Sequence, residues 1–260
     1  MSNIRIQLLN IINREEPNSM NFIIAHYILK NLEEKKAIST KELAKECNVS
    51  KSSISRFCRK LGYEDFLELQ YAIASYHSFE QKQFADLNGD NTVELVQNYF
   101  QSIQDISAHS KQFLEIGILE TLVKDIHDYE DVVLMGHVQS SFPAFSLQHY
   151  LTLLHKFVYS TQDINEQKIM LETLDDKSLI IIFSAAGKFI ERVLDRMSVM
   201  EREHLPKIYV ITANKTKHLP FVYKYIELME NYSYISPVVL EIYSNLIPLI
   251  YRKKYMLSTD

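Results

Sequence analysis

Glycine and proline are scarce in this chain, five and six among 260 residues. Loops that cradle phosphate with bare backbone draw on glycine, so few loops of that kind can be present. Cysteine is scarcer still. Cys47 and Cys58 are the two thiols, and both fall on the apolar stripes of short helical patterns, which makes buried thiols the expectation rather than a disulfide or a zinc site. The nine histidines are scattered, with no His-x-x-x-His pair on one helix face. Neither a metal nor a cofactor is expected. No uncharged apolar run approaches the roughly eighteen residues needed to span a bilayer, and the opening M-S-N-I-R-I-Q has no apolar signal core. The expectation is a cytoplasmic protein with no membrane partner.

What is present is the composition of a folded, soluble protein, 47% hydrophobic and 23% charged. The length exceeds that of a usual single domain, so two unequal domains are expected. The net charge of −5 argues against a general coat for nucleic acid. Its distribution is uneven. Residues 1–79 carry eleven Lys and Arg against nine Asp and Glu, whereas the remainder carries seventeen against twenty-four.

The local basic excess is concentrated in Ser50 to Leu61, S-K-S-S-I-S-R-F-C-R-K-L, which has four cations and no acid. Before it, Thr40 is a candidate N-cap, Leu43, Ala44 and Cys47 recur at helical spacing, and Asn48 suits a tight turn. Within it, Ile54, Phe57, Cys58 and Leu61 form one stripe, turning Lys51, Ser52, Ser55, Arg56 and Arg59 outward. Gly62 closes the helix at C′. Two short helices with the second one cationic predict a helix-turn-helix whose second helix enters the major groove of double-stranded DNA. Small hydroxyls and a Lys at its leading end allow close approach to bases and phosphates. Arg56 is the candidate for a bidentate guanine contact, and Arg59 and Lys60 are candidates for phosphate. Thr40, Lys41 and Ser53 complete the candidate set. An ordinary helix pair with a solvated charged face has the same spacing; the charge distribution favours the DNA reading.

Residues 1 to about 78 read as all helix: Ile4 to Ile12, Ser19 to Leu32, the helix pair, then Phe66 to Tyr76. The polar stretch at 80–91 reads as a linker. Residues 92–260 differ in character. Two helices, one capped by Thr92 and one from Glu115 to His127, precede short β-branched runs at Asp131 to Met135, Phe157 to Tyr159, Ser178 to Phe183 and Lys207 to Ile211. Glu227 to Ile235 is a weaker fifth candidate, and a helix from Pro237 to Tyr255 ends the pattern. Strands alternating with helices predict a parallel sheet covered on both faces, with ligands bound beyond the carboxyl ends of the strands. Two loops there lead into helices: Gly136 to Ser141 and Ser184 to Lys188. Backbone N–H groups at such a helix start, with serine hydroxyls, suit an anion; plain helix caps are the alternative.

Leu43 to Leu69, L-A-K-E-C-N-V-S-K-S-S-I-S-R-F-C-R-K-L-G-Y-E-D-F-L-E-L, resembles the N-terminal helix-turn-helix of the RpiR/MurR transcriptional regulators. The distinctive string S-x-x-[ST]-[IV]-x-R-F-x-[KR]-x-L-G-[YF]-x-[GD]-[FY]-x-E-[FL] is matched at Arg56, Phe57, Leu61, Gly62, Tyr63, Phe66 and Glu68. The resemblance implies an all-α helix-turn-helix domain followed by an α/β sugar isomerase (SIS) domain, with a five-stranded parallel sheet flanked by helices. It also implies a phosphorylated sugar as effector and self-association as a homodimer or homotetramer. The family's first ligand loop, G-x-G-x-S, is matched at Gly136 and Ser140, with Val138 in place of the second glycine. Its second, S-x-S-G-x-T, is matched at Ser184 and Gly187, with Ala186 and Phe189 replacing the two hydroxyl residues. Ser141 and Lys188 complete the candidate effector set.

Three functions compete. The first is a regulator of carbohydrate genes that reads operator DNA with Ser50 to Leu61. The second is an SIS-type phosphosugar isomerase with an accessory helical domain, for which His137 and Glu191 are the proton-transfer candidates. The third is an adaptor in which both sites are relics. Loss of two hydroxyls from the second loop counts against catalysis, and the cationic helix counts against the adaptor.

Overall fold

The computed structural model of the protein describes residues 4–32, 38–83, 89–185, 204–228 and 236–257. The chain divides into two compact units, Met1–Ala85 and Asp86–Asp260.

Among the described residues the first unit is entirely helical: α1 (Ile4–Arg14), α2 (Met20–Asn31), α3 (Thr40–Glu46), α4 (Lys51–Lys60) and α5 (Phe66–Gln83). Each start has a local cause. Ser19, Ser39 and Ser50 adopt extended backbone, and each hydroxyl accepts a hydrogen bond from the N–H three residues on, at Phe22, Glu42 and Ser53. The cap of α3 is therefore Ser39, not Thr40, which is the first helical residue. Asn48 turns the chain between α3 and α4 at φ 52°, and Gly62 follows α4 at φ 85°, a region in which a side chain is strained. The helices enclose one core in which Leu8, Ile24, Leu43, Ile54, Phe57, Cys58 and Leu69 are fully buried. α5 runs to Gln83, into the stretch expected as linker.

The second unit begins with α6 (Thr92–Gln112) and α7 (Ile116–Asp128). The alternating part follows: β1 (Asp131–Gly136), a 3-10 turn at Val138–Ser140, α8 (Ser141–Leu153), β2 (Tyr159–Thr161), α9 (Ile164–Thr173), β3 (Ser178–Ser184), β4 (Lys207–Thr212), β5 (Lys224–Glu227) and α10 (Ser236–Tyr255). The cap of α6 is Asn91, one residue before the expected Thr92; its side-chain oxygen accepts from the N–H groups of Val93 and Glu94, both at 3.1 Å. Among the described residues the sheet has five strands, all parallel, in the order β2-β1-β3-β4-β5.

Alternation along the strands builds two cores. Val132, Leu134, Leu179, Ile181, Phe183, Tyr209 and Ile211 face α6, α7, α8 and α10, whereas Val133, Met135, Ile180, Ile182, Ile208 and Val210 face Leu171 of α9 and the loops flanking β4. Burial on both faces explains the near-continuous apolar runs of β1, β3 and β4. The two edge strands differ from expectation. β2 lies at Tyr159–Thr161, not Phe157–Tyr159, because its ladder is set by pairing of Val133 with Tyr159, while Phe157 stands outside and packs edge-on against Tyr159 at 4.9 Å. β5 is Lys224–Glu227, so Glu227 alone of the expected Glu227–Ile235 is in the strand, and 229–235 lie outside the described residues. An edge strand buries few side chains; in β5 only Ile226 is buried, which leaves little periodic signal to find.

A polar network ties α7 to the start of β4. The buried Asp125 carboxylate accepts from the Tyr209 hydroxyl at 2.5 Å and pairs with the Lys207 ammonium at 2.7 Å. Lys207 also lies 4.1 Å from the centre of the Tyr223 ring. Burial, and then the bond to Asp125, push the Tyr209 hydroxyl's pKa up. Replacing Asp125 by Asn leaves the largely buried Lys207 without a counter-charge, and urea unfolding should show a loss of about 2 kcal/mol or more, against about 1 kcal/mol for Tyr209→Phe. Equal, negligible losses in both variants would contradict this account of the network.

Candidate DNA-reading helix and effector loops

The anchoring of α4 is built from its buried side. Ile54, Phe57 and Cys58 have no exposure and Leu61 has little. A buried amide adds direction: Gln7 of α1 donates from Nε2 to the Leu61 carbonyl at 3.1 Å and accepts at Oε1 from the Tyr63 hydroxyl at 2.9 Å. Both ends of the segment are thereby fixed, by the Ser50 cap in front and by Gln7 behind.

With that side held, Lys51, Ser52, Arg56, Arg59 and Lys60 are exposed, as is Lys41 on α3, while Thr40 and Ser55 are half-buried. Ser53 is different. It is buried, and its hydroxyl bonds that of Ser50 at 2.9 Å and lies 3.4 Å from Arg56 Nη2, so it braces the helix start and the Arg56 side chain. Arg56 thus projects from a rigid rod with its guanidinium steadied on one flank. Lys60 bonds the Glu15 carboxylate in the α1–α2 turn, a partner that helical spacing does not reveal.

The two cysteines are free and buried. Desolvation pushes both thiols up from their ordinary 9.0 to about 11, with Glu46 adding to the effect at Cys47 and Asp65 at Cys58.

In the second unit the strand order 2-1-3-4-5 reverses direction between β1 and β3, and the crevice beyond their carboxyl ends is where such sheets bind ligands. Gly136 ends β1 there and Ser184 ends β3; both are buried. A Cβ on Gly136 would lie 2.0 Å from the Ser140 carbonyl oxygen, so the tight turn requires glycine. Ser140 is buried, and its hydroxyl accepts from the Ala185 N–H at 2.8 Å. This bond links the two loops expected to take an effector. Ser141, half-buried, opens α8. Gly187, Lys188 and Glu191, with the replacements Ala186 and Phe189, lie outside the described residues.

Gln167 on α9 was not among the expected residues. It is fully buried, and its Nε2 donates to the Gly136 carbonyl at 2.9 Å and to the Thr161 carbonyl at 2.6 Å, tying the carboxyl ends of β1 and β2, while its Oε1 has no hydrogen-bond partner among the described residues. A glutamine in an otherwise amphipathic helix gives no sequence signal of this role. Among the described residues no three His, Cys, Asp or Glu side chains gather to hold a metal ion, and no helix is long and apolar enough to cross a membrane.

Residues 6–80 match the model of a helix-turn-helix domain of the rpiR family. An uncharacterised helix-turn-helix-type transcriptional regulator in the aarA 3′ region of Providencia stuartii is 23% identical over 193 residues, 72% of this chain and 67% of that protein. The helix-turn-helix-type transcriptional regulator HexR of Pseudomonas aeruginosa is 23% identical over 205 residues, 76% of this chain and 70% of HexR. Among solved structures, the NanR protein of Vibrio vulnificus in complex with ManNAc-6P superposes with a TM-score of 0.53 at 16% identity, covering 98% of this chain and 93% of that one. At such identity the superposition establishes a shared fold.

Two outcomes follow from these contacts. Ser140→Ala leaves the buried Ala185 N–H without its acceptor and should lower the stability of the protein by about 1 to 3 kcal/mol in chemical denaturation. Because the folded thiol pKa values lie above the unfolded ones, Cys47 and Cys58 contribute stability that is complete below about 9 and is lost as pH rises towards about 11. The Cys47→Ala/Cys58→Ala double variant should therefore lose less stability than the wild type between pH 8 and pH 11, after correction for its lower starting value; parallel curves would show that the thiols do not contribute.

Proposed function

Because residues 6–80 form a helix-turn-helix domain of the rpiR family, we propose that this protein is a transcriptional regulator that reads operator DNA with α4 and responds to a sugar-phosphate-like effector in its α/β unit. The observation that carries the reading is the cationic face of α4, held rigidly from behind by Ile54, Phe57, Cys58 and Gln7. Arg56 is the base-reading residue, and Lys51, Arg59 and Lys60, with Lys41 on α3, meet phosphates. Ser52 and Ser55 allow close approach, Thr40 stands at the start of α3, and Ser53 supports Arg56. The domain division 1–79 and 92–260 about a linker at 80–91 follows the same reading, which places the protein in the cytoplasm.

The effector reading is supported by the fold shared with NanR, which was solved with a sugar phosphate, and by the linked loops at the β1/β3 crevice. Gly136, Ser141, Ser184, Gly187 and Lys188 are the proposed contacts, and Ser140 acts on the site through its bond to Ala185. Val138, Ala186 and Phe189 replace small or hydroxyl-bearing residues of the resembled loops, which favours binding over isomerisation. The relatives are named as transcriptional regulators, which agrees with a non-catalytic role. A homodimer is supported by α6, where Val93, Val96 and Phe100 recur at i, i+3 and i+7 with exposures of 67, 49 and 60%; a row of that kind fits a second copy better than water. Two copies would present paired α4 helices to a palindromic operator.

Selection of duplex DNA from a random pool should return a two-fold-symmetric site. On that site Arg56→Ala should abolish the preference over random sequence, whereas Lys60→Ala should weaken both alike and reduce the salt slope by less than about 0.9, the share of one phosphate contact. Failure of the pool to converge, or an equal loss in both variants on both DNAs, would count against the assignment. In a thermal-shift screen of sugar phosphates, a bound effector at about a hundred times its Kd should add about 2.7 kcal/mol to the stability of the folded protein; no shift with any of them would remove the effector half of the proposal.

A further inference from the structure

Among the described residues Lys60 is the α4 cation held by a carboxylate; Lys51, Arg56 and Arg59 make no such pair. The carboxylate is built in. Glu15 sits in the turn between α1 and α2, its Oε2 accepting from the Ser19 hydroxyl at 3.0 Å and its Oε1 from Asn21 Nδ2 at 3.0 Å as well as from the Lys60 ammonium. Ser19 is itself fixed as the cap of α2. Lys60's bond, then Asn21's, hold the Glu15 carboxyl below its ordinary value, so the anion is present throughout the neutral range. Lys60 remains half exposed while Glu15 is largely covered, 52% against 21% for the side chains. A fixed negative charge thus lies beside a more exposed positive one on the flank of the helix that carries the exposed cations.

We propose that Glu15 is a positioning residue that limits the affinity of α4 for DNA: its anchored carboxylate competes with backbone phosphate for the Lys60 ammonium. This rests on the DNA reading of α4. A phosphate approaching Lys60 must either share the ammonium with Glu15, bringing two anions close together, or displace it and forfeit the pair. In both cases the penalty is independent of base sequence. Glu15 lowers affinity for every duplex alike and leaves discrimination to Arg56. The sequence-blind term is the one that traps a regulator on bulk DNA, so a built-in counter-charge shortens residence there.

The test uses the full chain and a labelled duplex of random sequence, with binding followed by fluorescence anisotropy over about 50 to 200 mM salt. Glu15→Gln keeps the shape and removes the charge. It should bind about two- to fivefold tighter than wild type at low salt, with a slope of log K against log salt steeper by up to about 0.9. Both gains should vanish in the Glu15→Gln/Lys60→Ala double variant, which should match Lys60→Ala alone. A merely structural Glu15 would change melting temperature and leave the slope untouched. Glu15→Ala provides the same reading if Glu15→Gln does not fold. Unchanged affinity and slope in the Glu15 variants, or a gain that persists without Lys60, would overturn the proposal. Absence of salt-sensitive binding in the wild type would overturn the DNA reading beneath it.

Discussion

Burial of one side of α4 is the constraint on which the first unit turns. Phe57 with Ile54 and Cys58 is fully buried in the core that α4 shares with α1, α2, α3 and α5. Truncating a buried aromatic of this kind typically costs about 3 to 5 kcal/mol, several times the worth of any contact on the helix's open face. The exposed cations therefore have little part in choosing where the helix lies, the Lys60 to Glu15 pair included. Their positions are set by apolar residues at i, i+3, i+4 and i+7, by the Ser50 cap and by the Gln7 amide. A side chain on such a rod inherits the rigidity of the core behind it, which is what the base discrimination proposed for Arg56 requires.

The second unit obeys a different rule. A parallel sheet buried on both faces cannot place polar side chains along its strands, so chemistry is displaced to the strand ends. There the Gly136 turn, the Ser140 to Ala185 bond and the bridging Gln167 amide join the ends of β1, β2 and β3. A hydroxyl that looks available to a ligand is already committed to holding two loops together. In the proposed effector site this changes the role of Ser140 from contact to hinge pin.

Much of this architecture is legible in the residues because it rests on local patterns. The α4 stripe, the φ-positive turn at Asn48, the closing Gly62 and the buried state of both thiols follow from spacing and residue type. So do β1, β3 and β4, whose apolar runs are uninterrupted. The edge strands are less legible. β2 lies two residues beyond its apolar run, and β5 precedes the expected segment, since an edge strand is positioned by the ladder of its neighbour rather than by its own hydrophobicity. The caps Ser39 and Asn91 lie one residue before the threonines expected, a shift that side-chain oxygens of similar capacity cannot resolve without backbone angles.

Hydrophobic period and turn chemistry act over a few residues, so the helix-turn-helix with its cationic second helix and the parallel α/β unit with loops at its strand ends are written in the order of residues alone. Which polar groups meet is settled by the packed fold. Lys60 finds Glu15, and Ala185 finds Ser140, in each case across 45 residues of chain. No periodicity reaches that far: the partner of a hydrogen bond is chosen by how whole elements pack, and packing depends on every side chain in the core at once.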